Sequence, residues 1–262
     1  MKILIIGDIV GSPGREVLES YIPKKKSEYD FIIVNGENAA SGKGITPEIA
    51  ESFFSLGVDV ITSGNHIWDK KEITTYLDGT NRILRPYNYP KGVPGVGFCV
   101  AKNKKGVKVA VVSLQGRTFM PAIDCPFVLG RELVEKLRAE TKFIIVDFHA
   151  EATSEKIALG RYLDGKVSLF FGTHTHVQTA DEKILPEGTG FISDVGMTGS
   201  DNGVIGTKPE GVINRFITGL PQRFEVETGN SRLNGISVEL DDETGECVSV
   251  TRINVGEAEI KY

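Results

Sequence analysis

VSLFFGTHTH (residues 167–176) places two histidines one residue apart, directly after a largely apolar, aromatic run. A short run of this kind is typical of a strand that is covered on both faces. His174 and His176 would then lie where the strand gives way to a loop. Because alternate residues of an extended segment point to the same side, both imidazoles are expected to face a single site.

Similar apolar, β-branched runs occur at five other places in the chain. They cover residues 2–7, 31–36, 58–64, 107–116 and 142–148. Helix signals lie between them: Ser12 and Thr46 each stand before a proline, as capping residues do, and Asp69 with Glu72 forms a capping box. Two further helices are predicted at residues 130–140 and 153–163. Strands that alternate with helices in this way favour parallel βα units.

The C-terminal part of the chain shows a different pattern. Residues 234–255 alternate about the turn-forming stretch 241–245, which predicts an antiparallel hairpin, and KNKKG at 102–106 indicates another. Parallel units mixed with hairpins favour an α/β fold in which two packed sheets are flanked by helices. Since the sequence contains no linker-like tract, residues 1–262 are expected to form a single domain.

The overall composition narrows the class of protein. The chain has 262 residues, and none of its apolar stretches approaches the roughly 18 residues that a membrane span needs. The N-terminus lacks the features of a signal peptide, so a cytoplasmic protein is expected. Three separate cysteines argue against disulfides and thiolate metal sites. A net charge of −5 gives no strong attraction to nucleic acid. The composition is compatible with the formation of a homo-oligomer.

Polar side chains with metal-binding chemistry follow the predicted strands, and every histidine of the chain is among them. In open α/β sheets the carboxyl ends of the strands meet at one edge, and ligands bind there. Side chains that are distant in sequence are therefore expected to meet. They are Asp8, Glu37, Asn38, Asn65, His66, His149, His174 and His176.

This mixture of oxygen and nitrogen donors is one that borderline divalent metals prefer. One ion needs only four to six ligands, so this many donors, with Glu37 placed centrally, suits two ions roughly 3.5 to 4 Å apart. Any single histidine after a strand is more often a structural residue, and Asp69 alone is better explained as a helix cap. The coincidence of all four histidines with two acids favours a site.

Two nucleotide-binding motifs are excluded. The glycines at positions 7, 11 and 14 do not form GxGxxG, and Asp8 would place a negative charge where a pyrophosphate binds. GENAASGKG (36–44) resembles a P-loop but has no Ser or Thr after Lys43. The arginines and lysine that could contact an anionic substrate are interpreted as surface charges. They are Arg15, Lys43, Arg117 and Arg161.

Five sequence segments, taken together, resemble the calcineurin-like metallophosphoesterase superfamily, and specifically its YmdB-like branch of bacterial phosphodiesterases. They are GDIVG (7–11), NGENAASGKGI (35–45), SGNHIWD (63–69), DFHAEATSEK (147–156) and GTHTHVQTAD (172–181). The likeness runs from Met1 to about Phe224. It implies a four-layer αββα sandwich with a dinuclear metal centre at the strand ends.

The resemblance also implies the role of each donor. One metal would be held by Asp8, Glu37, Asn38 and His176, and the other by Glu37, Asn65, His149 and His174, so that Glu37 bridges the two. His66 would remain unligated and act as the proton donor.

The chain departs from the commoner superfamily pattern at its first metal site. Asp8-Ile9-Val10 stands where most members have Asp-x-His, and Gly36-Glu37-Asn38 stands where most have GDxxD. Since valine cannot bind a metal, Asn38 is the expected replacement. The site then becomes richer in oxygen, which favours two divalent or mixed-valence ions of iron or manganese, with zinc as the other candidate. In most members of the superfamily an acid also follows the histidine of GNH directly, whereas two residues separate His66 from Asp69 here.

The functional hypothesis is hydrolysis of a phosphodiester by attack of a metal-bridged hydroxide, with His66 as general acid. The resemblance implies small phosphodiesters as substrates, namely cyclic nucleotides that include 2′,3′-cyclic ones. The alternative is a regulatory or RNA-decay-associated binding protein in which metals brace a surface and turnover is incidental.

Overall fold

The computed structural model describes residues 1–261, so residue 262 of the predicted domain lies outside the described part. Its strands are β1 Lys2–Ile6, β2 Asp8–Ile9, β3 Phe31–Asn35, β4 Val60–Thr62, β5 Ile83–Leu84, β6 Phe98–Lys102, β7 Lys108–Gln115, β8 Ile144–His149, β9 Leu169–Thr173, β10 Lys183–Ile184, β11 Gly190–Ile192, β12 Met197–Ser200, β13 Ser231–Leu240 and β14 Cys247–Gly256. Its α-helices are α1 Gly11–Lys25, α2 Pro47–Leu56, α3 Lys71–Leu77, α4 Pro126–Leu137, α5 Thr153–Tyr162, α6 Pro209–Thr218 and α7 Glu257–Lys261.

The strands form two mixed sheets. The first has the order β2-β12-β13-β1-β3-β4-β5, with β14 paired to β13, and the second has the order β10-β11-β9-β8-β7-β6. Strands β1, β3 and β4 run parallel in the first sheet, as do β7, β8 and β9 in the second. Strands β13 and β14 are an antiparallel pair around residues 241–246. β6 pairs antiparallel with β7, with Lys102 opposite Lys108.

Three apolar cores separate four layers. Side chains such as Ile3 and Ile5 of β1 pack between the sheets with Phe171 of β9. Their neighbours on β1, Leu4 and Ile6, point to the other face and pack against α1 and α2. A third core lies between the second sheet and helices α4 and α5. Because successive strand residues point to opposite faces, a strand covered on both sides must be apolar throughout. The predicted four-layer αββα sandwich is confirmed.

The helix starts agree only in part with the caps predicted from sequence. Thr46 caps α2 as predicted, since its hydroxyl accepts a hydrogen bond from the Ile49 amide at 3.4 Å. The prediction for Ser12 is wrong: α1 begins at Gly11, whose amide donates to the Asn38 carbonyl at 2.9 Å. The capping box at Asp69 is also wrong, because α3 begins at Lys71 and no side chain caps it.

Several short elements near the C-terminal third were not predicted. Strands β10, β11 and β12 are two to four residues long, too short for a periodic pattern to be recognised. Helix α6 was missed although Val212, Ile213, Phe216 and Ile217 follow helical spacing, and it exposes Phe216 and Ile217 at 86% and 78%. Among residues 1–261, no helix combines the length and apolar character needed to cross a bilayer.

Candidate metal centre

The predicted ligands lie at the carboxyl edge that the two sheets share. Asp8 begins β2 and, like Glu37 after β3, lies two residues beyond the end of the preceding strand, β1. His149 is the last residue of β8, and His174 follows β9. Donor atoms of Asp8, Glu37 and His149 all lie within 4.8 Å of one another, and the three side chains are buried. The fold therefore brings together groups from both sheets, as the sequence pattern predicted.

Glu37 lies at the centre of this cluster. Its Oε1 accepts a hydrogen bond from the His66 amide at 2.7 Å, and its Oε2 lies 2.8 Å from His149 Nε2. Glu37 is fully buried, and burial raises the pKa of its carboxyl group. One carboxylate thus contacts the segment after β4 in the first sheet and the end of β8 in the second.

The proton of His149 is fixed by a chain of buried polar groups. Thr173 Oγ1 donates to Asp147 Oδ1 at 2.8 Å, so it must accept from His149 Nδ1, which lies 3.0 Å away. Nδ1 therefore carries the proton, and Nε2 directs its lone pair at Glu37. While Glu37 is ionised, neither Nε2 nor its carboxylate can donate, so this 2.8 Å approach brings two acceptors together. Two acceptors this close are what a shared cation would require.

His176 is oriented in the same way. Its Nδ1 lies 3.0 Å from the Ile205 carbonyl, and because a carbonyl only accepts, Nδ1 is the protonated nitrogen. Nε2 lies 3.0 Å from Asn38 Nδ2 and 3.9 Å from Asp8 Oδ1. A hydrogen bond on the far nitrogen of a histidine is the usual support for a metal ligand. His176 therefore presents its lone pair beside two other predicted ligands of the same metal.

His174 lies in the cluster, but its backbone conformation differs from the one that the sequence predicted. Its Nδ1 lies 3.0 Å from His149 Nε2, and its amide donates to Asp8 Oδ2 at 3.2 Å. The backbone φ angles of His174 and His176 are +98° and +66°. Both residues lie in the left-handed region rather than in an extended strand, so the alternation argument was wrong although both rings lie in the cluster. Left-handed backbone in non-glycine residues is strained and often marks functional sites.

Burial shifts the protonation of the cluster toward neutral forms. It raises the pKa of Asp8 to about 7, lowers that of His174 to about 4 and lowers that of His149 well below its usual range. Neutral imidazole is the form that binds metal. A positive ion among these groups would favour the ionised carboxylates that burial alone disfavours.

Three oxygens of the predicted ligands are buried and have no hydrogen-bond partner within residues 1–261. They are Asp8 Oδ1, Glu37 Oε2 and Asn65 Oδ1. Buried acceptors are nearly always satisfied, so a group of unsatisfied oxygens at one edge indicates a missing electropositive partner. Together with the imidazole lone pairs, these residues fit a metal centre with oxygen and nitrogen ligands.

His66 differs from the other three histidines in its contacts. Its ring Nδ1 lies 2.9 Å from Asp69 Oδ2, and its side chain is 27% exposed. Asp69 therefore pairs with the imidazole instead of capping α3. The acid that usually follows this histidine directly is thus supplied from three residues further on.

A family model described as "YmdB-like protein" matches residues 4–253 of the chain. The chain belongs to the YmdB-like family. A relative from Bacillus subtilis (strain 168), named 2′,3′-cyclic-nucleotide 2′-phosphodiesterase, is 51% identical over 259 residues, which are 98% of both chains.

Solved structures agree with this YmdB-like assignment. A hypothetical protein from Thermus thermophilus superimposes with a TM-score of 0.93 at 40% identity, covering 98% of this chain and 100% of that one. A protein from Mycoplasma pneumoniae, described as a novel phosphatase, gives a TM-score of 0.91 at 35% identity, with 100% and 96% covered. The resemblance that the sequence motifs indicated is therefore confirmed.

Sequence analysis missed several buried charged residues around this YmdB-like centre. Asp147, which orients His149 through Thr173, is fully buried, and burial raises its pKa to about 7. A lone acid inside the apolar strand IIVDFH was the signal that could have revealed it. Lys156 and Asp194 form a buried ion pair at 2.6 Å. Asp194 follows β11, a strand that was not recognised, so its position could not be inferred.

Gly64 is required by the close packing of two predicted ligands, and Gly64→Ala is expected to disrupt the site. A Cβ at this position would lie 2.0 Å from His149 Cδ2 and 2.3 Å from Glu37 Oε2. Because a displacement of about 1 Å can reduce a rate by about 100-fold, we expect a loss of that order, measured as kcat/KM, with reduced metal content. Gly256→Ala is the control, since its Cβ would contact nothing within 4 Å. Normal metal content in Gly64→Ala would contradict the prediction.

Proposed function

We propose that this YmdB-like chain is a metal-dependent phosphodiesterase that acts on cyclic nucleotides, 2′,3′-cyclic ones among them. The observation that carries the proposal is the convergence of unsatisfied carboxylate and amide oxygens with oriented imidazole lone pairs at one edge. The relative from Bacillus subtilis, 51% identical along almost the whole chain, is named for this activity.

The ligands divide into two sets around Glu37. Asp8, Glu37, Asn38 and His176 would hold one ion, and Glu37, Asn65, His149 and His174 the other, with iron or manganese favoured by the oxygen-rich first set. The contacts of His176 with Asn38 and Asp8, and of His149 with Glu37 and His174, follow this division. When bound, such ions supply an activated water and Lewis-acid polarisation of the phosphoryl oxygens.

His66 is proposed to protonate the departing oxygen of the ester. Its Nδ1 is held by Asp69 at 2.9 Å, which fixes the ring and leaves Nε2 to carry the transferred proton. Its backbone amide holds Glu37 Oε1 at 2.7 Å, so the donor is tied to the central ligand. A general acid needs a fixed position relative to the leaving group, and these two contacts provide it.

The proposal predicts that diester hydrolysis depends on added metal. Protein stripped with a chelator and reloaded with Mn²⁺ or Fe²⁺ is tested on bis(p-nitrophenyl) phosphate, on p-nitrophenyl phosphate and on 2′,3′-cyclic AMP. We expect turnover of the two diesters to return with metal and to exceed monoester turnover. Cleavage of the 2′ ester bond would release the 3′-monophosphate, which chromatography distinguishes from the 2′ isomer.

The same experiment distinguishes the regulatory alternative. Elemental analysis of the untreated protein gives the number and identity of bound metals, and two ions per chain are expected. Metal at that level without diester turnover would favour a protein in which the ions brace a binding surface. Absence of bound metal after reloading would contradict both proposals.

A further inference from the structure

Lys156 and Asp194 form an ion pair in the interior of the protein. Lys156 lies in α5, and its Nζ is 2.6 Å from Asp194 Oδ2, with side-chain exposures of 2% and 1%. Lysine is almost never fully buried unless it is paired. A buried pair of charges is tolerated only when its geometry is good and its other hydrogen bonds are satisfied.

Two of the other side-chain hydrogen bonds of Asp194 come from the loop that carries two predicted ligands. Its Oδ2 accepts from the Thr175 amide at 3.1 Å and from the Thr175 hydroxyl at 2.7 Å. Its Oδ1 accepts from the Gly196 amide at 2.8 Å. Thr175 is the residue between His174 and His176, so Asp194 is bonded to the centre of the His-Thr-His turn.

This turn needs such a restraint because its backbone is strained on both sides of Thr175. His174 and His176 have φ angles of +98° and +66°, a region that side chains with a Cβ rarely adopt. Strained residues keep such a conformation only where surrounding contacts determine it. The two bonds from Thr175 to a buried carboxylate are contacts of that kind.

The lysine reaches Asp194 through space left by a glycine. A Cβ at Gly172, in strand β9, would lie 2.9 Å from Lys156 Cδ and 1.8 Å from the Ser193 carbonyl oxygen. The stem of Lys156 therefore passes directly over the strand that leads into the histidines.

We propose that Lys156 is a positioning residue for the metal centre. Its ammonium holds the Asp194 carboxylate in place, Asp194 holds Thr175, and Thr175 fixes the turn that carries His174 and His176. The inference rests on the proposed metal-dependent function, since it assigns Lys156 an effect on ligands of that centre without any contact to substrate or metal.

The inference is tested by measuring the Mn²⁺ affinity of chelator-stripped protein. Competition with a chromogenic chelator gives this affinity. Lys156→Met keeps the stem but leaves Asp194 as a buried charge without its partner. We expect about 10- to 100-fold weaker binding, the range for residues that orient metal ligands. Lys136→Met is the matched control, because Lys136 is exposed on α4 and should leave the affinity unchanged.

A double variant separates positioning from general stability. In Lys156→Met combined with Asp194→Asn, both charges of the pair are removed and the amide oxygen can still accept the hydrogen bonds from Thr175. Because the amide NH₂ cannot accept from the Gly196 amide, the affinity should return in part, to a value above that of Lys156→Met alone. Thr175→Val retains the ion pair and removes only the hydroxyl bond. It should also weaken binding, and its effect should not add to that of Lys156→Met, because both act through one chain of contacts.

The outcomes separate this inference from the proposed function. Wild-type affinity in Lys156→Met, with only a lower melting temperature of the metal-free protein, would show that the pair is merely structural and would overturn the inference. If Lys156→Met does not fold, Thr175→Val decides: weaker metal binding supports the inference and wild-type affinity overturns it. Wild-type protein that takes up no metal would overturn the proposed function, and the inference with it.

Discussion

Glu37→Ala is expected to lose bound metal and phosphodiester hydrolysis together. Glu37 is fully buried, and it is the one predicted ligand assigned to both ions. Its removal leaves each set with three donors and widens the cluster at its centre. Since metal activation contributes several kcal/mol to such reactions and each 1.36 kcal/mol is tenfold in rate, kcat/KM should fall by more than about 10³-fold.

The control variants separate the loss of charge from the loss of shape. Glu37→Gln keeps an oxygen that can accept from the His66 amide, which lies 2.7 Å from Oε1 in the wild type, but it removes the negative charge. It should bind metal more weakly than wild type and fold normally. Glu132→Ala changes an exposed glutamate of α4 and should retain full metal content. Elemental analysis alongside the rates decides: a Glu37→Ala protein with two ions per chain would show that Glu37 is not a bridging ligand.

The sequence allowed the sandwich to be predicted because its central strands are buried on both faces. Strands β1, β3, β8 and β9 are apolar almost throughout, and such runs have few other structural interpretations. Short strands such as β11 and β12 were missed because their pairing depends on neighbours that are distant in sequence. Tertiary context, rather than local pattern, forms these strands.

The positions of the candidate ligands could be inferred from sequence because these residues lie at or just after strand ends, but the contacts that orient their side chains could not. Thr173 and Asp147 lie within strands, and their chain of hydrogen bonds to His149 exists only once β8 and β9 are paired. The hydrogen bond from the Thr175 amide, in the centre of the His-Thr-His turn, likewise goes to Asp194, which is 19 residues away. Such supporting groups have no spacing rule that a sequence could reveal.

Asp69 shows how a local rule can favour the wrong role. An acid three residues before a glutamate satisfies the capping pattern, yet α3 begins at Lys71 without a side-chain cap. The carboxylate instead lies 2.9 Å from His66 Nδ1. Short polar side chains compete between backbone and side-chain partners, and here the imidazole is the partner. This contact gives His66 the orienting acid that the departure from the common motif had removed.

His66→Ala is therefore expected to lose catalysis while retaining metal. A positioned general acid contributes about 10²- to 10⁴-fold in rate, so kcat for 2′,3′-cyclic AMP should fall within that range. The contact to Glu37 is made by the backbone amide of residue 66, which alanine preserves, so the central ligand stays supported. Asp69→Asn should lower kcat less, because it weakens the hold on Nδ1 but leaves the imidazole in place.

The leaving group provides the decisive comparison for His66. A nucleoside alkoxide departs as a strong base and requires protonation, whereas p-nitrophenolate is a stable anion and departs with little assistance. The loss in His66→Ala should consequently be large for 2′,3′-cyclic AMP and much smaller for bis(p-nitrophenyl) phosphate, with equal metal content in both proteins. Equal losses on the two substrates would point to a role in binding the phosphoryl group, since that contact is common to both diesters and independent of the departing oxygen.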